Sequence, residues 1–233
     1  MAIKWDLFVQ QFVEFGGYKI VLEGLQNTLI IAVLGLLIGI LLGTILAITK
    51  VVPKYKLAPK IFSKLTDIYV GFFRGTPIVV QLLLVYFVLL PAMKVQIPAV
   101  YVAVIVFGMN SGAYACEIMR SGLQSVDGGQ LEAGRSLGMS YIQTMLKIVI
   151  PQAVKNIFPT LGNEFISLVK ETSVVSFITV VDLTKAFKGL ASANYEYIIP
   201  YCMLALFYLV IVIFITIIIR AAERRMAKSE RNK

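Results

Sequence analysis

The sequence predicts an all-α integral membrane protein with five transmembrane helices, an N-terminus outside and a cytoplasmic C-terminus. Three observations support this prediction. The chain is 58% hydrophobic and 15% charged, whereas a soluble domain carries about 25% charged residues. It contains five apolar stretches of roughly the 20 residues that a spanning helix needs. Its basic residues are concentrated in alternate loops between these stretches.

The five predicted spans differ in polarity. The first and the last are almost purely apolar, whereas the other three contain polar or charged side chains. A break is expected in the second span at Gly75-Thr76-Pro77, because proline removes a helical donor and restrains the residue before it. The spans are 29–48, 68–90, 99–118, 148–169 and 197–219.

The orientation follows from the basic residues. Lysines crowd residues 50–64, and further basic residues lie in 120–147 and in the tail after residue 219, while the alternate loops are sparser. Positively charged loops stay in the cytoplasm, so the loop between spans 3 and 4 is predicted to be cytoplasmic. The net charge of +9 therefore indicates topology rather than nucleic-acid binding.

Three regions are predicted along the chain: an N-terminal interfacial segment (1–19), a single transmembrane domain (20–220) containing the loop 127–147, and a basic cytoplasmic tail (221–233). The aromatic side chains of the first segment predict either anchors at the membrane interface or a short helix packed on the bundle. Residues 178–190 predict an outer amphipathic helix. The aromatic side chains are Trp5, Phe8, Phe12 and Phe15.

Composition argues against several classes of protein. Histidine is absent, which removes the commonest general base and zinc ligand. Cys116 and Cys202 lie far apart in apolar runs and predict no disulfide framework. We expect no catalytic residue and no metal site. An odd number of spans without a repeat also argues against a secondary carrier, although a channel or carrier stays an alternative.

One segment interrupts the apolar chain, QLEAGRSLGMSYIQTMLKIVIPQA, residues 130–153. The glycines 128–129 are expected to break the preceding helix, and Glu132 to lie in the first turn of a short helix, where it suits the helix dipole. Gly138 is expected to permit a turn, and Pro151 to lie in the first turns of the next helix. An ordinary interfacial hairpin explains these residues equally well.

The same residues resemble a known motif. Glu132-Ala133-Gly134, then Gly138, then IVIP ending at Pro151 resemble the EAA loop of ABC importer permeases, in which the third position is alanine. RGTPIVVQ (74–81), residues 112–134 and KETSVVSFI (170–178) are similar to segments of the polar amino-acid importer permeases. The resemblance covers roughly residues 20–220.

The resemblance implies an ATP-driven importer that works by alternating access in a prokaryotic cytoplasmic membrane. Two permease subunits, for which a homodimer is favoured, would join two ATPase subunits and an extracytoplasmic binding protein. The chain has no G-x-x-x-x-G-K-[ST] loop, so ATP and magnesium are expected on the partner ATPase and no cofactor on this chain. The expected coupling residues are Glu132, Ala133, Gly134, Leu137 and Gly138.

Polar side chains at membrane depth are candidate substrate ligands. Glu117 and Glu164 favour a cationic amino acid such as arginine, lysine or histidine, and Glu164 is preferred because it lies roughly 20 Å along the helix from Pro151. A neutral cargo such as glutamine is the alternative. The full set of candidates is Arg74, Thr76, Asn110, Tyr114, Glu117, Asn163, Glu164 and Ser167.

Structural roles remain open for several of these candidates. Arg74 could pair with Asp67 or Glu117 for assembly alone, and Glu117 could bridge to Arg74 or Arg120. The two asparagines could serve only as hydrogen bonds between helices, which are common in membrane bundles.

Overall fold

The computed structural model describes residues 2–52 and 57–231, and their regular structure is helical, as predicted. Wider π-helical turns occupy Gln10–Glu14, Leu84–Leu89 and Met145–Val149, and a 3₁₀ helix occupies Thr172–Ile178. The α-helices are α1 (Ala2–Val9), α2 (Gly17–Val51), α3 (Leu57–Gly75), α4 (Ile78–Leu83), α5 (Leu90–Ala92), α6 (Ala99–Gln124), α7 (Gly128–Ser136), α8 (Tyr141–Thr144), α9 (Ile150–Glu171), α10 (Leu183–Ala193) and α11 (Ile198–Arg231).

Three helices in the described part of the chain are long and apolar enough to cross a membrane: Gly17–Val51, Ala99–Gln124 and Ile198–Met226. They correspond to predicted spans 1, 3 and 5, although the last helix begins at Ile198 rather than at residue 197. The bent pair Leu57–Gly75 and Ile78–Ala92 makes a fourth if it is one span. The remaining predicted span forms α9, whose polar side chains lower its hydropathy. The count of five and the orientation therefore stay predictions.

The predicted break at Gly75-Thr76-Pro77 is confirmed. Helix α3 ends at Gly75, Pro77 is extended (φ −64°, ψ 138°), and α4 begins at Ile78. The carbonyl of Pro77 then accepts the N–H of Val80 at 3.0 Å, which starts the next helix without needing a donor from the proline ring.

Two other prolines lie directly after π turns. Pro91 follows the turn Leu84–Leu89 and Pro151 follows the turn Met145–Val149, each by two residues. The wider turn accommodates the hydrogen bond that proline cannot make. Pro151 is the second residue of α9, as expected, but α8, the π turn and α9 form one continuous helical path.

By contacts, the chain divides into two compact units. The boundaries between them fall within or beside helices rather than in long linkers. Unit 1 contains Met1–Leu37, Thr76–Gly108 and Phe165–Ile215, and unit 2 contains Ile38–Gly75, Met109–Glu164 and Thr216–Lys233.

Unit 1 has an aromatic and aliphatic core in which the N-terminal segment takes part. Phe8 is buried beside Phe187 and Leu190 of α10, and Phe12 packs against the same cluster. The segment therefore packs within unit 1, and an interfacial position for its exposed Trp5 and Phe15 stays a prediction. Lys4 also pairs with Glu196 at 2.9 Å, which ties α1 to the segment before α11.

The outer helix predicted at 178–190 was placed too early. The chain forms a 3₁₀ helix through Ile178, passes through a left-handed Thr179 (φ 73°), and starts α10 only at Leu183. The cause is Asp182, whose carboxylate accepts the N–H groups of Thr184 and Lys185 at 2.9 and 3.0 Å. Such an N-cap fixes where a helix begins.

In unit 2, helices α2 and α6 approach through glycines. A β-carbon on Gly39 would lie 2.6 Å from Oγ of Ser111, and one on Gly43 would lie 2.5 Å from Cβ of Ala115. Small residues four apart on both helices let the backbones approach closely, which stabilises helix pairs in membranes.

Candidate coupling and substrate sites

The segment expected to contact an ATPase contains the short helix α7. The carboxylate of Asp127 accepts the N–H of Gly129 at 2.9 Å and caps the helix. Gly128 and Gly129 therefore form the first turn of α7 rather than breaking the chain before it. Glu132 lies in the fifth position, so the prediction that it occupies the first turn is wrong.

The coupling residues divide into an exposed set and one buried residue. Leu137, at the end of α7, is 82% exposed, and Glu132 and Ala133 are also exposed. Gly138 has φ +83° and donates its N–H to the carbonyl of Arg135 at 3.0 Å, so the predicted glycine turn is confirmed. Helix α7 therefore presents a charged and apolar surface that other described residues leave uncovered.

Gly134 is the buried member of the set, and its environment explains why it is glycine. A β-carbon there would lie 2.4 Å from Cγ2 and 3.1 Å from Oγ1 of Thr144, and 3.1 Å from Ile148. Thr144 is itself fully buried and donates to the carbonyl of Ser140 at 3.0 Å. Alanine at position 134 would force this side chain to shift, so the missing β-carbon lets α7 and α8 pack this closely.

Helix α8 is fixed by its own cap. Ser140 accepts the N–H of Gln143 at 3.2 Å, and the Gln143 side chain accepts the N–H of Ser140 at 3.0 Å. This reciprocal capping box satisfies two donors at the helix start. Helix α8, which places Thr144 beside Gly134, is therefore fixed by contacts within this chain.

Four candidate substrate residues lie together in unit 2. The guanidinium of Arg74 lies over the ring of Tyr114, 5.3 Å from its centroid, and 4.0 Å from the carboxylate of Glu117. Arg120 holds the same carboxylate more closely, at 2.7 Å. Asn110 donates to the carbonyl of Phe73 at 3.1 Å. The first three contacts form a cluster with a formal charge of +1, because two arginines face one glutamate.

This geometry distinguishes between the structural roles that the sequence leaves open for Arg74, Glu117 and Asn110. Arg74 contacts Glu117, whereas Asp67 forms an ion pair with Lys50. Glu117 bridges both Arg74 and Arg120. The amide of Asn110 bonds α6 to α3, as an interhelical role requires.

The other candidates are placed as follows. In unit 2, α9 carries an exposed Asn163 and a half-buried Glu164. In unit 1, Ser167 is half-buried on the same helix, and Thr76 accepts two hydrogen bonds from the amide of Gln81, at 3.0 Å through its carbonyl and 2.9 Å through its hydroxyl. Gln81 therefore stabilises the broken span on its C-terminal side.

One partner is not assigned by the sequence. Lys50 counts there only among the loop charges, and no sequence rule links it to Asp67 across two helices. The pair of Glu117 with Arg120, in contrast, is one of the alternatives named above, and its spacing of three residues on one helix is typical of such a pair. In the described ranges, no group of three or more His, Cys, Asp or Glu side chains could hold a metal ion.

Comparisons with known proteins agree with this arrangement. The arginine transport system permease protein ArtQ of Bacillus subtilis (strain 168) is 38% identical over 210 residues, which cover 90% of this chain and 94% of ArtQ. The putative glutamine transport system permease protein GlnP of Rickettsia bellii (strain RML369-C) is 35% identical, over 90% of this chain and 94% of GlnP.

A solved structure extends the comparison to the fold. The crystal structure of an amino acid ABC transporter with histidines contains a chain that is 39% identical to this one. It superposes with a TM-score of 0.81 over 92% of this chain and 97% of that chain. Residues 35–228 also match the family described as "Binding-protein-dependent transport system inner membrane component". With its break between α3 and α4 and its exposed helix between α6 and α9, the chain belongs to this family of inner-membrane transport components.

Proposed function

We propose that this chain is the permease subunit of an ATP-driven importer of polar amino acids. The observation that carries the proposal is helix α7, which is fixed on one side by the fit of Gly134 to Thr144 and exposes Glu132, Ala133 and Leu137 on the other. The names of the relatives support the amino-acid class, since they include arginine and glutamine permeases.

In this function α7 is the coupling helix. A separate ATPase binds the exposed side chains, and ATP with magnesium is held by that ATPase. Closure of the ATPase dimer displaces α7, and the displacement drives alternating access in the membrane helices. A binding protein delivers the amino acid from outside the inner membrane of a prokaryote. Two copies of this chain form the pathway as a homodimer, because one bundle encloses too little space for a solute.

For the cargo we propose a basic amino acid, with Glu164 as the ligand of its cationic side chain. Glu117 is already neutralised by Arg120 and Arg74, so it contributes mainly by orienting Arg74. The guanidinium of Arg74, exposed over Tyr114, suits the α-carboxylate of an amino acid. The remaining candidate ligands stay predictions from the sequence: Thr76, Asn110, Asn163 and Ser167.

Glutamine is the second candidate cargo. The pairing of Glu117 with Arg74 and Arg120 weakens one of the two acidic groups on which the basic cargo depends, because nearby positive charges reduce its attraction for another cation. The likeness to the glutamine permease GlnP points in the same direction.

Reconstitution with the partner ATPase and binding protein tests the proposal. We expect ATP-dependent uptake with a maximum for arginine or lysine, and Glu164→Gln should abolish the preference for them over glutamine. Glu117→Gln is the matched control, since it removes a carboxylate from the same pathway without removing the proposed ligand. An uptake maximum for glutamine in the native protein would contradict the basic cargo and support the second candidate.

A further inference from the structure

Two side-chain amides on α9 have no part in the transport function proposed above. Gln152 and Asn156 lie four residues apart and so on one face of the helix. The amide of Asn156 donates to the hydroxyl of Ser125, in the turn between α6 and α7, at 2.8 Å. The amide of Gln152 lies 3.5 Å from the side-chain oxygen of Gln130 on α7 and donates to the carbonyl of Ile148 at 3.0 Å.

The hydrogen bond between Ser125 and Asn156 has a fixed direction. Ser125 donates its own proton to the carbonyl of Gly122 at 2.8 Å, so its oxygen is free to accept from Asn156. A β-carbon on Gly122 would lie 2.2 Å from Cγ1 of Ile157. The end of α6 therefore touches α9 directly, and the hydrogen bond beside this contact sets the register between them.

The chain that connects α7 to α9 is less direct than the contact between the end of α6 and α9. It passes through the left-handed turn at Gly138, the single turn of α8, the π turn Met145–Val149, and Pro151. A π turn and a proline both interrupt the regular hydrogen-bond ladder of a helix. A displacement of α7 reaches α9 through these interruptions and through the contact of Gly134 with Thr144 and Ile148. A side-chain contact that bypassed the π turn and the proline would be a second connection.

We propose that Asn156 and Ser125 form this second connection and position α9 during coupling, with Gln152 and Gln130 as a weaker parallel contact. The proposal rests on the coupling role of α7. Both side chains are exposed, so their hydrogen bond serves register more than stability. Glu164 lies eight residues beyond Asn156, about 12 Å along the helix and beyond Pro159 within it, so the connection links the coupling segment to the helix that carries the proposed cargo ligand.

The test measures amino acids transported per ATP hydrolysed in proteoliposomes that contain the whole transport complex. Ser125→Ala and Asn156→Ala should each lower this ratio about three- to tenfold, the range of one hydrogen bond, and the double variant should lower it no further. Ser125→Thr keeps the hydroxyl and should restore the ratio. Ser121→Ala, the same change one turn earlier on α6, is the matched control.

The outcomes separate the two proposals. Unfolding temperature and copurification with the ATPase should stay unchanged in every variant. An unchanged transport ratio in Ser125→Ala and Asn156→Ala would overturn the positioning role, as would a fall in uptake and ATP hydrolysis by the same factor. A native complex that assembles no ATPase would instead refute the proposed function itself.

Discussion

Helices α7 and α10 begin in the same way and end in different surroundings. Each is opened by an aspartate N-cap, Asp127 in unit 2 and Asp182 in unit 1. The only buried residue of α7 is Gly134. The buried residues of α10 are Leu183, Ala186, Phe187, Leu190 and Ala191.

The two helices differ in how much of their apolar surface the chain itself covers. The apolar side chains of α10 are covered by its own unit, and burial of such side chains is the main stabilising contribution in a fold. The apolar end of α7, Leu137, is exposed next to Glu132. In the proposed function, Leu137 and Glu132 belong to the surface that the ATPase covers.

The largest expected difference in the free energy of unfolding is between two variants that each remove one apolar side chain, one from each helix. Phe187→Ala removes a fully buried ring and should cost about 3–5 kcal/mol of the free energy of unfolding, measured in detergent. Leu137→Ala should leave that free energy unchanged and weaken copurification with the ATPase. A comparable loss of stability in both variants would remove the distinction between the two helices.

The next effect concerns the close contact of Gly134 on α7 with Thr144 on α8. Gly134→Ala should cost about 1–3 kcal/mol, the usual range for overpacking, because the new β-carbon meets Cγ2 of Thr144. Thr144→Ser deletes that methyl group and keeps the hydroxyl, so the double variant should recover most of the stability. If the losses of unfolding free energy in the two single variants simply added in the double variant, the contact with Thr144 would not be what excludes alanine from position 134.

A smaller effect is expected from the caps. Asp127→Ala and Asp182→Ala should each cost about 1 kcal/mol, with the larger loss at Asp182 because its partners are less accessible to water. The corresponding asparagine variants keep an acceptor and serve as controls. Hydrogen exchange of the amides of Gly129, Thr184 and Lys185 reports each cap separately. Equal protection in the alanine and asparagine variants would contradict the capping role.

The smallest effect is a pH dependence at Asp182. Burial raises the pKa of this carboxyl group, although hydrogen bonds from Lys185 and Thr184 oppose the increase. The unfolded chain therefore releases this proton at a lower pH than the folded chain, so stability should fall as the pH rises from the ordinary aspartate pKa through the folded value. Asp182→Asn should remove this decrease. If the difference in unfolding free energy between the native protein and Asp182→Asn did not vary with pH, the raised pKa of Asp182 would be contradicted.

Local rules predicted much of this structure. The break at Pro77 and the turn at Gly138 follow from the conformations that proline and glycine permit. The start of α7 could also have been found, because Asp127 before two glycines has the form of an N-cap. The glycines at 35, 39 and 43, four apart in an apolar stretch, are a further sequence signal of close helix packing.

Other features depend on contacts between distant residues. The glycine at 134 has no explanation until α8 places Thr144 beside it. The ion pair of Lys50 with Asp67 joins α2 to α3, and no periodicity predicts it. The pairing of Glu117 with Arg74 was open in the sequence because two arginines and two acidic groups allowed several combinations.

ATP-dependent amino-acid uptake by the reconstituted complex tests the central claim most directly. Vesicles containing this chain, its ATPase and its binding protein should accumulate labelled arginine or lysine, and should stop when ATP is removed or when Leu137 is replaced by aspartate. Accumulation driven by an ion gradient without ATP, unaffected by Leu137→Asp, would contradict the claim that α7 couples this permease to an ATPase.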